Sequence, residues 1–310
     1  MNTRLVGSEM CIRDSLSALN PNLSISKELF LKSIPISLAS GVSQINLVVG
    51  RQISSLFDGA MVWLIYADRL AQLPIALIGV ALNVVTLPKL SSLKKSGRKV
   101  EGNSYLNRSM LLSLIFALPA SVGLIYLNFE IISSLFQRGN FLVNDAIQTS
   151  KALSIYSLSI IPISLQMLLL NFYFAEKNIR IPFYYSLASV FLNVGLAYTL
   201  LDTFKFLAPP IAYAITNWLV FISLVYHTYK FGFYFNSAFK RGLPRIVLSS
   251  CFMLILLILT KSFTLQYFST QILTILWLSM VIPLSGISYF ACLKFLGILD
   301  KNFWINDFSK

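Results

Sequence analysis

The sequence is short of acid, of histidine and of charge generally. Asp and Glu together number 12, charged residues make up 12% of the 310-residue chain, and His227 is the single histidine. An average soluble domain carries about 25% charged residues. One histidine leaves no material for a His-based metal cluster or a Ser-His-Asp triad. No Gly-rich phosphate loop and no G-x-S-x-G elbow occurs. Cys11, Cys251 and Cys292 show no metal-ligand spacing, and the latter two sit in apolar runs. Acidic residues are nearly absent from the apolar runs, so a paired-carboxylate active site has no second member. The chain reads as a non-enzyme without metal or cofactor.

What is abundant is apolar surface. Hydrophobic residues are 56% of the chain, in blocks of about 20, the length that spans roughly 30 Å of hydrocarbon at about 1.5 Å per residue. The expected fold class is all-α: a polytopic membrane helix bundle of about eight transmembrane helices. They are placed at Leu31–Phe57, Met61–Leu90, Tyr105–Leu127, Ala146–Phe174, Pro182–Leu201, Ala208–Tyr229, Ile246–Thr260 and Gln271–Leu293. The stretch Asn128–Phe141 is too short and mixed to span, and predicts an interfacial helix with a turn near Gly139. Short connections favour antiparallel neighbours.

The formal net charge is +13. The basic residues lie in loops, with no basic face of a soluble domain, which argues against a nucleic-acid partner. Lys94, Lys95, Arg98, Lys99, Lys177, Arg180, Lys240, Arg241 and Arg245 fall on one side of the expected membrane. The other side holds Arg138, Lys205 and Lys261. That bias predicts cytoplasmic termini. The first fifteen residues, MNTRLVGSEMCIRDS, lack the apolar stretch of a signal peptide. They read as a non-native leader, with the chain proper beginning near Leu16.

The informative charges lie inside the second apolar run. Asp68 and Arg69 stand roughly 11 Å along the axis from its outer end. Each costs about 2.5–3.5 kcal/mol to insert there, and such residues face a bundle interior or a watery cavity. Neighbours in sequence point about 100° apart on a helix, so each is expected to need its own partner. Two readings stand. The pair either fixes packing through polar groups on other helices, or offers Arg69 to an anionic headgroup while Asp68 balances charge or couples an ion. A guanidinium fork suits phosphate oxygens. Pro74 and Gly79 follow and predict a kink or hinge. Arg51 either snorkels outward or adds a second cation to a cavity. Asp58-Gly59 reads as a turn without further function. Gln44, Asn46, Gln166, Asn171, Asn193 and Asn217 read as interhelical hydrogen-bonding amides.

The runs Ser43-Gln44-Ile45-Asn46-Leu47, Trp63-Leu64-Ile65-Tyr66-Ala67-Asp68-Arg69-Leu70, Gly79-Val80-Ala81-Leu82 and Leu87-Pro88-Lys89-Leu90-Ser91 resemble the MurJ (MviN) lipid II flippases. So do Ser134-Leu135-Phe136-Gln137-Arg138-Gly139-Asn140-Phe141, Ala152-Leu153 with Tyr156-Ser157, and the turn at Ala175–Pro182. The resemblance runs from about residue 30 to the C-terminus. It implies two six-helix lobes around a central cavity plus two C-terminal helices beside a lipid groove. Residues 16–230 would then be the C-terminal lobe and 231–310 the two added helices and tail, with the N-terminal lobe missing. The implied partners are a lipid-linked glycan diphosphate substrate and membrane lipids. The site residues carried over by motif are Asp68 and Arg69; Arg51 has no counterpart in the motif. A carboxylate sodium site of some relatives finds Asn193 but only Ala197 one turn on. The implied activity is alternating-access transport driven by membrane potential or an ion gradient. Two rivals are an exporter of another polyprenyl-linked glycan or a drug/cation antiporter, and a non-transporting membrane scaffold.

Overall fold

A backbone in hydrocarbon must satisfy its N–H and C=O groups within its own segment, so long apolar runs become helices. The computed structural model describes residues 48–264, 271–300 and 303, and no strand occurs among them. Residues 48–54 are helical and lead through a turn into α1, Ala60–Pro74. A π-helical segment, Ile75–Val80, joins α1 to α2, Ala81–Lys95. Then come α3, Lys99–Tyr126, the short α4, Asn128–Phe136, α5, Val143–Ser157, and α6, Ile160–Phe174. The chain continues through α7, Arg180–Thr199, a one-turn α8, Leu201–Phe204, and α9, Ala208–Lys230. It closes with α10, Ser237–Thr264, and α11, Gln271–Phe295. Counting α1–α2, α5–α6 and α8–α9 as continuous units, seven described helices are long and apolar enough to cross a membrane.

The first expected helix, Leu31–Phe57, lies outside the described residues up to position 47. Elsewhere the expected runs are found, with instructive shifts. The helix expected at Ile246 begins nine residues earlier, because Lys240, Arg241 and Arg245 lower hydropathy without opposing helix. The run expected at Ala146–Phe174 is broken at Leu158–Ser159. Pro162 explains this: its ring would clash with the carbonyl four residues back, at Leu158. The short helix and turn expected at Asn128–Phe141 are present, with Gly139 at φ 59°.

The main core joins five helices, with Leu224 contributed by α9. Leu106, Met110 and Leu114 of α3 meet Leu168 and Leu169 of α6, Met253 and Leu257 of α10, and Trp277 and Tyr289 of α11. Thus α10 and α11 share one core with the preceding helices. A smaller cluster sets Leu64, Ala67 and Ala71 of α1 on Ile132 of α4 and Ala146, Ala152 and Leu153 of α5. The alanines let the α1 backbone approach closely, the usual device between membrane helices.

Polar clamps tie the elements at both ends. At the Lys-rich end, Lys94 Nζ reaches Glu176 Oε1 at 2.7 Å and the Phe172 carbonyl at 2.8 Å, and lies 3.4 Å from the Phe172 ring centre. Asn103 and Asn107 donate to the Tyr234 carbonyl at 2.8 and 2.9 Å, pinning the α9–α10 turn to α3. At the opposite end Lys261 pairs with buried Glu130 at 2.7 Å. Gln271 Nε2 there donates to the carbonyls of Ser133 and Gln137.

Candidate functional site

The site begins with a stripe on α1. Met61, Leu64, Ile65, Asp68, Arg69 and Gln72 recur at three- and four-residue spacing and all line one cavity. An α-helix puts such positions on one face. That face is wide enough to hold two adjacent residues. Asp68 and Arg69 therefore share the cavity, although their side chains leave the helix in different directions. The expectation that each finds a partner on another helix is corrected for Asp68, whose carboxylate accepts from Gln72 Nε2, one turn along α1.

The cavity is about 400 Å³ and partly open. That size is typical of small-ligand sites. Gly50, Arg51 and Ser54 line it from the preceding helical residues, so Arg51 adds a second cation. Asn193 and Ala197 of α7, Tyr156 of α5, and Pro209 and Tyr213 of α9 complete the wall. The Tyr156 and Tyr213 rings meet edge-on, 5.9 Å between centres. Asp68 is half-buried, whereas Arg51 and Arg69 are exposed into the opening. Neither guanidinium has a hydrogen-bond or ion-pair partner among the described residues. Two cations and one carboxylate leave the lining net positive. Such a lining can hold a dianion, with the tyrosine hydroxyls and the Asn193 amide as further donors.

Just below the charged stripe the helix changes form. Pro74 has no N–H to give the Leu70 carbonyl, and the π-helical segment Ile75–Val80 follows directly. Single π turns inside α-helices are frequent at functional sites. Gly79 is buried in this segment. A Cβ there would sit 3.3 Å from Ser164 Oγ and 3.3 Å from Met167 Sδ of α6. The glycine therefore lets the irregular segment press against α6.

The intramembrane amides divide. Gln166 donates across to the Asn217 carbonyl at 2.7 Å and Asn171 to the Asn83 carbonyl at 3.5 Å, as the interhelical reading expects, whereas the Asn217 amide donates within its own helix, to the Tyr213 carbonyl at 2.8 Å. Asn193 differs: it is 6% exposed, lines the cavity, and its Nδ2 has no hydrogen-bond partner among the described residues. Gln44 and Asn46 lie outside the described residues. Sequence reasoning missed Tyr156, Tyr213 and Gln72. Only Gln72 carried a local signal, standing four residues after Asp68 on a helix. No group of three or more His, Cys, Asp or Glu gathers among the described residues.

A bundle of membrane-length helices, with a net-positive polar cavity beside a proline-broken helix, defines a multi-pass membrane protein. The family is particular: the chain belongs to the lipid II flippase MurJ family, whose family model matches residues 16–279. Among similar curated proteins, one named "Probable lipid II flippase MurJ" from Rickettsia prowazekii (strain Madrid E) is 28% identical over 250 residues. That match covers 80% of this chain and 49% of the relative. Another of the same printed name, from Rhizobium tropici, is 35% identical over 206 residues, covering 66% of this chain and 39% of its own length. The chain spans about half or less of the length of these relatives. A solved structure of lipid II flippase MurJ in an inward closed conformation superposes with a TM-score of 0.73 at 24% identity. It covers 94% of this chain and 61% of that one, a likeness of fold.

Proposed function

We propose that this chain takes part in moving lipid II across the bacterial cytoplasmic membrane, with both its termini on the cytoplasmic side. The observation that carries the reading is Arg69. It lies within an apolar helix, and its guanidinium faces the cavity without an ion-pair partner among the described residues, beside Arg51 and Asp68. A charge is kept at such depth only where something repays it, and an anionic headgroup does so. In this reading Arg69 engages the phosphate oxygens of a lipid-linked glycan diphosphate. Arg51 adds field strength, and Asp68, held by Gln72, sets the orientation of the charged stripe. Pro74 and Gly79 form the hinge at which α1 and α2 move. A second lobe, as the family resemblance implies, closes over the cavity, and the lipid tail stays in a groove beside α10 and α11. The membrane potential or an ion gradient supplies the driving force, with no cofactor.

The test is Arg69→Ala in the complete gene, in a strain depleted of its own flippase. The expected result is no rescue of growth at a normal protein level. Rescue equal to the parent at that level removes Arg69 from its role and the reading with it.

A further inference from the structure

The segment Ser134–Phe141 stands out in the sequence, yet none of it lines the central cavity. It builds a second pocket instead. Phe136, Arg138, Asn140 and Phe141 from this segment face Trp63 and Tyr66 of α1 and line an open pocket of about 470 Å³ at the Lys-poor end of the bundle. The two pockets share no lining residue. On α1 they occupy different faces: positions 61, 64, 65, 68, 69 and 72 serve one, and 62, 63 and 66 the other.

The aromatic walls are held rigidly. Tyr66 stacks on Phe136 with 4.5 Å between ring centres and an interplanar angle of 10°, and Phe141 tilts against both. Trp63 is fixed on three sides. Its Nε1–H donates to Asp145 Oδ1 at 2.8 Å, and its ring meets Phe206 edge-on at 5.2 Å. Its third contact is the Gly59 backbone, where a Cβ would lie 2.8 Å from Cζ2. An aromatic of the membrane-interface belt turns its polar end to water or headgroups. Trp63 does not, since a protein carboxylate has taken its N–H. Asp145 Oδ2 in turn accepts the Leu142 N–H at 2.7 Å, which anchors the start of α5.

The polar groups in the pocket are of the opposite kind. The side chains of Arg138 and Asn140 have no partner among the described residues, and both are exposed at the mouth. They sit on a defined turn, with Arg138 N bonded to the Phe136 carbonyl at 2.8 Å and Phe141 N to the Arg138 carbonyl at 3.2 Å. Preset aromatic surfaces bind at low entropic cost. Such surfaces suit the C–H face of a pyranose, an unpaired guanidinium suits an anionic substituent, and a free amide suits hydroxyls. A bare anion would gain nothing from the rings and would meet the Asp145 charge. A neutral sugar would leave Arg138 idle. The volume lies within the usual range of about 300–1,000 Å³ for small-ligand sites.

We propose that this pocket is a separate carbohydrate site, which takes a pyranose ring carrying a carboxylate at the outer face of the membrane. The binding chemistry stands on the pocket's own lining and does not depend on the central cavity's role; the outer placement rests on the orientation proposed above.

The experiment is saturation-transfer NMR and titration of the purified chain in nanodiscs, with glucuronic acid, glucose and glycerol phosphate as probes. The expected result is transfer to the ring protons of glucuronic acid, with glucose weaker by about tenfold or more, as loss of one charge-assisted contact implies. Arg138→Gln should bring glucuronic acid down to the level of glucose and leave glucose unchanged. Phe141→Ala should weaken both sugars. Four outcomes overturn the proposal: no binding of the acid at millimolar concentration, equal binding by parent and Arg138→Gln, or glycerol phosphate binding as well as the acid, which would mark a headgroup site. The fourth is loss of the acid's signal in Arg69→Gln with retention in Arg138→Gln, which would place the sugar in the central cavity.

Discussion

A buried amide N–H2 without an acceptor costs about 1–3 kcal/mol, so the placement of Asn193 asks what repays it. The group lines the charged cavity, where an anionic substrate would supply the acceptor. Asn193→Leu keeps the volume and removes the orphan donor. The expected outcome is a chain as stable as the parent or slightly more so, by thermal melting in detergent. Transport by the complete protein should fall by about tenfold at unchanged expression, the size of one lost hydrogen bond to a charged group. Equal transport would return Asn193 to a packing role of the kind that Gln166 fills between two helices. Asp68 and Arg69 were legible from the sequence because a charge in an apolar run has no cheap explanation. Asn193 was not, because nothing local separates an amide that glues two helices from one that lines a cavity.

At the scale of elements, the broken α1–α2 unit is the feature with consequences. Pro74 removes one intrahelical bond and the π segment carries the irregularity on to Val80. Pro74→Ala restores the donor. We expect slower amide exchange across positions 75–80, read by hydrogen–deuterium exchange, together with slower transport if this segment bends during the cycle. Gly79→Val places a branched side chain against Ser164 and Met167, where even a Cβ is tight. It should destabilise the chain by about 1–3 kcal/mol, as overpacking does, visible as a lower melting temperature. The proline and glycine were plain in the sequence as interruptions. That they produce a π turn pressed on α6 depends on a helix about ninety residues away and could not be read locally.

For the molecule as a whole, α10 and α11 are built into the same core as the other helices and are clamped at both ends. The Lys261–Glu130 pair is the sharpest test, with side chains 26% and 9% exposed. Lys261→Met strands a buried carboxylate. The full penalty of such a change is several kcal/mol; with Lys261 a quarter exposed we expect about 1–3 kcal/mol. Adding Glu130→Gln should recover most of the loss, since the stranded charge is the cause. Thermal melting of parent, both single variants and the double variant gives the coupling. Additive effects would show that the pair does not hold α10 to the α3–α4 corner.

The helices, their number among the described residues and their membrane length follow from the sequence because each rests on local forces. Apolar runs of sufficient length need lipid, and in lipid a segment must satisfy its own backbone. The charged stripe of α1 is equally local, a matter of helical period. What only the tertiary structure decided is which side chains meet: Arg51 with Arg69 and Asn193 around one cavity, Trp63 with Asp145 in another pocket, Lys261 with Glu130. These depend on how each helix is rotated about its axis and set in depth against its neighbours. Close packing of small and large side chains from distant parts of the chain sets that rotation, and no short window of sequence contains it. Asp68 and Arg69 thus announced a site, while its walls came from α5, α7 and α9.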